Sequence, residues 1–301
     1  MSPGLLSNIG SGCPQGMAGP RFADALAKYD DARVVLFGVP YDRTCSFRGG
    51  SRYAPAAIRK ASYNFETYMM DHQRDLADVP FVDLGDTPSF GPSTEMVAGV
   101  SKVAGDIVGA GKIPIAIGGE HSLAPAVVRT FPKDIGVIGI DAHLDFRESY
   151  LDDKWSHACS ARRCADHVGV ENVIYMGVRS YSQEEREDLE RLGLTYISVY
   201  EIHDSGIASA AMRALKQINR DKIYLTIDID GIDPAYAPGV GNPEPFGLAP
   251  LQVKKLLGIL GPHLVGMDLN EVSPAWDFGQ TALLAARLIR EAIMAIGEAR
   301  S

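Results

Sequence analysis

Two short segments of the sequence place carboxylate and imidazole side chains at spacings that suit a metal site. In Asp141-Ala-His143-Leu-Asp145 the polar side chains stand at positions i, i+2 and i+4, which share one face of an extended chain but point apart on a helix. Asp228-Ile-Asp230 repeats the i, i+2 spacing with two carboxylates. If both segments follow strands of one sheet, these side chains converge, and metal binding is the chemistry that they predict.

A third segment, Gly118-Gly-Glu-His121, adds a histidine at a glycine turn between a predicted strand and a predicted helix. Four ionised aspartates at neighbouring strand ends would repel one another unless cations lay between them. Oxygen-rich ligands with two imidazoles and no thiolate suit a hard to borderline divalent ion such as Mn²⁺. Six ligands are too many for one catalytic ion, whereas bridging aspartates would hold a pair about 3.5–4 Å apart, a spacing that generates a hydroxide nucleophile.

A calcium loop is the alternative for Asp228-Ile-Asp-Gly-Ile-Asp233. An EF-hand loop, however, needs glycine at its sixth position, glutamate at its twelfth and flanking helices. Here Gly231 is fourth and a predicted strand precedes the segment. The spacing therefore disfavours calcium.

An alternation of strands and helices is predicted to position these segments. Short β-branched runs alternate with longer amphipathic stretches, which is typical of βαβ units, and apolar runs such as 135–140 indicate helices on both faces of the sheet. The predicted strands are Arg33 to Val39, Phe81 to Leu84, Ile113 to Ile117, Ile135 to Ile140, Val173 to Val178, Thr195 to Val199, Lys222 to Ile227 and Leu264 to Leu269, and the predicted helices are 55–61, 94–110, 122–130, 183–192, 205–219, 250–260 and 279–297. We predict an α/β fold of three α/β/α layers with a mainly parallel eight-stranded sheet, whose ligand crevice lies at the carboxyl ends of the strands.

Composition excludes several classes of protein. Of 301 residues, 46% are hydrophobic and 22% charged, and no linker interrupts 21–301, so we expect one globular domain there. Residues 1–20 lack the apolar run of a signal peptide and are expected to form a flexible or draped arm. A formal net charge of −9 disfavours nucleic acid and fits a small cationic ligand. The sequence contains no run of about 18 apolar residues, so no membrane span is predicted. Its four cysteines form no CxxC pair, which is typical of a protein in the reducing cytoplasm.

Ordered motifs along nearly the whole chain resemble those of the ureohydrolases, the arginase and agmatinase family. Its three metal-binding signatures are similar to Gly118-Gly-Glu-His-Ser122, Asp141-Ala-His-Leu-Asp145 and Asp228-Ile-Asp-Gly-Ile-Asp-Pro234. The resemblance extends to Gly38-Val-Pro-Tyr-Asp42, 48–59, 237–245 and Met267-Asp-Leu-Asn-Glu-Val-Ser-Pro274. It implies a hydrolase that cleaves a guanidinium group to urea and an amine, and a homotrimer or homohexamer.

The resemblance also implies which residues act as ligands and which as catalytic groups. One Mn²⁺ ion would be held by His121, Asp141, Asp145 and Asp228, and a second by Asp141, His143, Asp228 and Asp230, with Asp141 and Asp228 bridging. Glu271 matches the family's guanidinium-binding glutamate, and a carboxylate suits a planar cation with paired N–H donors. His157 matches a histidine that shuttles a proton to the departing amine.

The guanidino substrate is expected to depend on the segment between the second metal motif and His157. Arg147 stands where arginases carry an asparagine, and this segment resembles the form seen in many agmatinases. Three acidic residues there, Glu148, Asp152 and Asp153, would favour the terminal ammonium of agmatine. Arg147 would equally receive a carboxylate. We therefore expect conversion of agmatine to putrescine and urea, a reaction of polyamine biosynthesis, with guanidinobutyrate, guanidinopropionate and arginine as alternatives.

Two further alternatives are a non-catalytic metal-binding scaffold of the same fold and a metal-dependent amide hydrolase of the related deacetylase fold. All six ligand positions are present together with His157 and Glu271, which disfavours the scaffold. The paired aspartate motifs with His121 indicate two ions rather than one. Cys159 invites a nucleophile role, but free cysteines are commonly buried, and we expect it to pack locally.

Overall fold

An eight-stranded sheet organises the part of the chain that the computed structural model describes, Met17 and residues 19–299. The strands are β1 Val34–Val39, β2 Tyr68–Met69, β3 Arg74–Asp75, β4 Phe81–Asp86, β5 Ile113–Gly118, β6 Gly136–Ile140, β7 Val173–Val178, β8 Thr195–Ser198, β9 Ile223–Asp228 and β10 Leu264–Asn270. The sheet order is β4-β1-β5-β10-β9-β6-β7-β8, and each neighbouring pair is parallel. Strands β2 and β3 form a separate antiparallel hairpin.

Helices cover both faces of this sheet because its strands are apolar on both sides. The described helices are α1 Ala54–Ser62, α2 Ser93–Gly109, α3 Ala124–Val128, α4 Ser160–Val168, α5 Gln183–Leu192, α6 Val199–Ser205, α7 Ile207–Ile218, α8 Pro250–Leu260 and α9 Gln280–Glu298. One buried apolar cluster joins the sheet to α1 and α6–α9, and a second joins it to α2–α5. The three-layer α/β/α architecture with a mainly parallel eight-stranded sheet is confirmed.

Two helical regions differ from the sequence prediction. Helix α4 was not predicted, although Ala161, Cys164, Ala165 and Val168 form an i, i+3, i+4, i+7 buried stripe, because small apolar residues make it a weak signal. The predicted helix 205–219 begins earlier and is split into α6 and α7 at Gly206, whose φ is 81°. The predicted arm, residues 1–20, lies outside the described residues apart from Met17 and 19–20. Among the described helices, none is long and apolar enough to cross a membrane.

Four neighbouring strands, β5, β10, β9 and β6, deliver the predicted site segments to one edge of the sheet. Strand β5 leads through Gly119 to a 3₁₀ turn at His121–Leu123, and a Cβ atom at Gly119 would lie 1.8 Å from the carbonyl oxygen of Tyr41. Strand β9 ends at Asp228 and strand β6 ends just before Asp141. Because parallel strands end at the same edge, residues more than 100 positions apart meet there.

Candidate metal centre and active-site cleft

The six predicted metal ligands lie together at this edge in two groups that share Asp141. Nδ1 of His121 lies 3.1 Å from Oδ2 of Asp141, 3.1 Å from Oδ2 of Asp145 and 3.5 Å from Oδ2 of Asp228. In the second group, Nδ1 of His143 lies 3.1 Å from Oδ2 of Asp230 and 3.6 Å from Oδ1 of Asp141. Ligand atoms of His121, Asp141 and Asp228 lie within 4.8 Å of one another, as do those of Asp141, His143 and Asp230.

The charges and unpaired atoms of these groups fit divalent cations. Asp141, Asp145, Asp228 and Asp230 are all buried, and burial together with neighbouring carboxylates raises the pKa values of Asp145 and Asp228. Oδ2 of Asp141 is buried without a hydrogen-bond partner among the described residues. Burying so many carboxylates without compensating positive charge is costly, so the arrangement is suited to holding metal ions.

A hydrogen-bond chain behind His121 orients its ring. Nε2 of His121 lies 2.8 Å from the hydroxyl of Thr226, and that hydroxyl donates to Oδ1 of Asp268 at 2.5 Å. Asp268 also accepts from the hydroxyl of Tyr224 at 2.5 Å and from the amide of Asn270. Because the Thr226 proton goes to Asp268, Nε2 of His121 must donate, and Nδ1 is the ring nitrogen left to face the carboxylates and to bind a metal ion.

Asp268 is a residue that sequence reasoning did not assign. It lies inside strand β10, is completely buried and faces donors contributed by β9. The signal in the sequence was an aspartate within an otherwise apolar strand, at Met267-Asp-Leu, where an ionisable side chain needs a specific partner.

Glu271 lies immediately after strand β10, next to the first ligand group. Its φ of 65° is in the left-handed region, as is the φ of 51° at Asp145, and such backbone strain in non-glycine residues is concentrated at functional sites. The carboxylate Oε1 accepts a hydrogen bond from the backbone N–H of His121 at 2.7 Å. Burial and the nearby Glu120 carboxylate raise the pKa of Glu271 well above its ordinary value. The carboxylate faces the cleft, where a cation would compensate its charge.

His157 lies on another wall of the same cleft, at the start of a 3₁₀ turn before α4. Its Nδ1 is 3.0 Å from the hydroxyl of Thr44, and its ring meets that of Tyr150 edge-on at 6.2 Å between centroids. Burial, followed by the positive charges of His121 and His143, lowers the pKa of His157 to about 4. The imidazole is therefore neutral at pH 7, with one ring nitrogen that keeps its lone pair.

A cleft of about 520 Å³ is lined by His157, by Glu271 and by four of the six ligand candidates: His143, Asp145, Asp228 and Asp230. The part of its lining formed by Arg147, Glu185 and Glu244 contains no ligand candidate and is called the outer wall. Arg147 is flanked by carboxylates, with Nη1 3.6 Å from Glu184 and Nε 3.9 Å from Glu185. The carboxylate of Glu244 makes no hydrogen bond or ion pair within 4.0 Å with the described residues, although its charge interacts with the guanidinium of Arg179. Among the charged side chains that line this wall, two are carboxylates and one is a guanidinium.

The carboxylates of the acidic segment 148–153 do not line the cleft, contrary to the expectation from the sequence, although Tyr150 of this segment does. Glu148 forms ion pairs with Arg162 at 2.8 Å and Arg163 at 3.2 Å, on helix α4. Asp153 accepts from the backbone N–H of Trp155 at 2.8 Å, and Asp152 is exposed. None of the three carboxylates is part of the cleft lining. Helix α4, which was not predicted, supplies the arginines that neutralise Glu148.

Arg179 holds the backbone around Glu244 in place through hydrogen bonds. Its guanidinium donates to the backbone carbonyls of Glu244 at 2.7 Å and Pro245 at 2.9 Å, and to that of Asp230 at 2.7 Å. One side chain therefore joins the outer wall to a residue of the second ligand group.

Cys159 does not serve as a nucleophile. Its side chain is buried, and burial raises the pKa of the thiol to about 12, which excludes a thiolate at neutral pH.

Comparisons with known proteins agree with this geometry. A model of the arginase family matches residues 32–295. The chain is 33% identical over 285 residues to an agmatinase of Bacillus anthracis, covering 92% of this chain and 96% of that protein. It is 31% identical over 277 residues to a guanidinobutyrase of Pseudomonas aeruginosa, covering 88% and 86%. It is also similar to the crystal structure of an agmatine ureohydrolase of Thermoplasma volcanium, with a TM-score of 0.89, 40% identity and coverage of 93% and 94%.

Proposed function

The chain belongs to the arginase family and is a hydrolase of the ureohydrolase type, and from this premise we propose that it converts agmatine to putrescine and urea with two Mn²⁺ ions. One observation carries the proposal: members of both His/Asp ligand groups line the same cleft as Glu244, whose carboxylate makes no ion pair within 4.0 Å with the described residues. The ligand groups suit hydrolysis of a guanidinium group. The Glu244 carboxylate suits a substrate that carries a second cationic group at its other end.

The proposed ligands of the first ion are His121, Asp141, Asp145 and Asp228, and those of the second are Asp141, His143, Asp228 and Asp230. The distances within the two groups and the unpaired Oδ2 of Asp141 support this assignment. When bound, the two ions supply a hydroxide nucleophile at neutral pH. Manganese is favoured because the donors are mostly carboxylate oxygens with two imidazoles.

Glu271 and His157 are the proposed catalytic residues. Glu271 presents a carboxylate to the cleft, where it would bind and orient the planar guanidinium of the substrate through paired N–H donors. His157 is neutral at pH 7 and would take a proton from the hydroxyl of the tetrahedral carbon and pass it to the departing nitrogen. The carbon–nitrogen bond then breaks, and urea and an amine leave.

The charge of the outer cleft supports agmatine over guanidinobutyrate. Arg147 already has two carboxylate neighbours, Glu184 and Glu185, so a substrate carboxylate would compete with both. Glu244 is free to pair with an ammonium group. An unpaired anion at the far end also disfavours a carboxylate substrate by repulsion.

We also propose that 21–301 form one domain and that the protein assembles as a homotrimer or homohexamer. The single sheet and its flanking helices draw on residues from Val34 to Glu298, which supports one domain. Large exposed apolar side chains, such as Phe246 and Phe278, support contact between copies. Native mass measurement tests the assembly.

The test of the function is urea release by the Mn²⁺-loaded protein from agmatine, arginine, 4-guanidinobutyrate and 3-guanidinopropionate. We expect agmatine to have the highest kcat/KM. Urea from none of the four would contradict the ureohydrolase proposal. Turnover of guanidinobutyrate with agmatine inert would preserve the reaction but overturn the substrate assignment.

A further inference from the structure

Three residues from distant parts of the chain form a continuous hydrogen-bond path that ends at His157. The hydroxyl of Thr44 lies 3.0 Å from Nδ1 of His157, and the same hydroxyl lies 2.8 Å from Oε1 of Glu120. A further hydrogen bond links the same two residues, since the backbone N–H of His157 donates to the Thr44 hydroxyl oxygen at 3.0 Å. Neither Thr44 nor Glu120 belongs to the ligand groups or to the lining of the cleft.

Glu120 is held so firmly that it has little freedom to serve another role. Its carboxylate accepts from the backbone N–H of Thr44 at 2.7 Å, the hydroxyl of Thr44 and the hydroxyl of Ser122 at 2.6 Å. The side chain is 1% exposed. Three donors therefore converge on a buried carboxylate that neither the metal groups nor the proposed reaction uses.

The direction of each hydrogen bond follows from the number of protons available. A carboxylate oxygen only accepts, so the single hydroxyl proton of Thr44 points to Glu120. The hydroxyl oxygen then has only lone pairs left for His157, one for the backbone N–H and one for Nδ1. The Ser156 hydroxyl also lies near Nδ1, but at 3.5 Å, whereas the accepting Thr44 oxygen is at 3.0 Å. The shorter contact places the proton of the neutral ring on Nδ1, and Nε2 carries the lone pair. The ring itself lines the cleft.

We propose that Thr44 and Glu120 are positioning residues that hold His157 in its Nδ1–H tautomer, with the lone pair of Nε2 available to the cleft. The proposal rests on the proposed function, in which His157 transfers the proton. Nε2 accepts the hydroxyl proton of the tetrahedral carbon and donates it to the departing nitrogen as the carbon–nitrogen bond breaks. The imidazole ends the cycle with the protons it had at the start. In the opposite tautomer, Nε2 already bears a proton and cannot accept one.

Thr44→Val tests the path because it removes the hydroxyl and keeps the shape of the side chain. We expect kcat for agmatine to fall by about tenfold or more, while KM changes less than about threefold. The loss in kcat should be part of the roughly 10²–10⁴-fold rate enhancement that a positioned acid–base group contributes. Thr44→Ser keeps the hydroxyl and should recover most of kcat. Thr130→Val is a matched control, because the Thr130 hydroxyl donates to the Val127 carbonyl at 2.7 Å away from the cleft, and its activity should equal that of the wild type.

A double-mutant cycle separates positioning from a general structural effect. If Thr44 acts through His157, Thr44→Val causes no further loss of kcat in a His157→Ala background. A loss of the same size in both backgrounds, or full activity of Thr44→Val alone, would overturn the inference. If the wild type releases no urea, the proposed function fails, and the crystal structure of Thr44→Val then tests the positioning role separately. A His157 ring that turns away from its wild-type orientation supports this role. An unchanged ring refutes it.

Discussion

Arg147 and Glu185 lie side by side on the wall of the cleft, with Nε of the guanidinium 3.9 Å from Oε2 of the carboxylate. Glu185 is itself buried and accepts from the backbone N–H of Phe146 at 3.0 Å, so it is a fixed partner for the guanidinium. The sequence alone allowed Arg147 to bind a substrate carboxylate. In the structure, the Arg147 guanidinium already lies next to a carboxylate of the protein, that of Glu185.

The first prediction concerns Glu244 and the charge of the substrate. Glu244→Gln should raise KM for agmatine about two- to fivefold, the scale of a partly exposed ion pair, with kcat little changed. The same substitution should improve the ratio of guanidinobutyrate to agmatine turnover, because repulsion of the carboxylate is removed. Steady-state urea release with both substrates measures this.

Arg147→Met is the companion variant. It should leave KM for agmatine within about threefold, since the loss of a guanidinium with two carboxylate neighbours does not remove a substrate contact. A large rise in KM for guanidinobutyrate alone would instead identify Arg147 as the receptor for a carboxylate and contradict the charge argument.

The second prediction concerns the ligand groups. Asp230→Ala should lose at least one ion and nearly all activity while the fold persists, because it removes the carboxylate 3.1 Å from His143. Metal content by mass spectrometry and the circular dichroism spectrum measure the two effects. Asp204→Ala, at an exposed aspartate of α6, is the matched control and should keep two ions. Two bound ions and full activity in Asp230→Ala would show that the assignment is wrong.

The third prediction is that metal uptake releases protons. Burial alone would lower the pKa of His143, but the carboxylates of Asp230 and Asp141 raise it to about 12 in the metal-free protein. An imidazole ligand must be neutral, so binding at pH 7 expels this proton, and metal affinity should rise with pH. Calorimetric titration in two buffers of different ionisation enthalpy counts the protons. Binding without proton release between pH 6 and 8 would contradict the ligand role of His143.

The fourth prediction concerns Asp268. In Asp268→Asn the amide can donate to the Thr226 hydroxyl, which then turns its proton to Nε2 of His121 and moves the ring proton to Nδ1, the ligand atom. Metal affinity should fall about 10–100-fold, as for other residues that orient a ligand. Tyr224→Phe is the control, since Tyr224 also donates to Asp268 but does not contact His121 through Thr226. Equal metal affinity in the two variants would refute the orienting role.

The i, i+2 spacing identified five of the six ligand candidates, and the glycine turn after a predicted strand identified His121. The extended geometry assumed for these segments is not what the structure shows, because Asp145 has a φ of 51° and Ile229–Gly231 form a 3₁₀ turn. The side chains converge because the segments follow neighbouring parallel strands that end at one edge of the sheet. The alternation of apolar runs and amphipathic stretches likewise predicted the eight strands of the sheet. Helix α4 and the break at Gly206 were missed, since small apolar residues and a single glycine give weak periodic signals.

The sequence by itself determined the fold class and the composition of the proposed metal site. Only the tertiary structure decided the environment of each group: Thr44 meets His157 across 113 positions, and Thr226 meets His121 across 105. The charge of the outer cleft was decided in the same way, because Glu148 is neutralised by arginines of α4 while Glu244 faces the cleft unpaired. Side-chain charges can be counted along a sequence, but which charges are paired, buried or exposed to a substrate depends on the packing of distant segments.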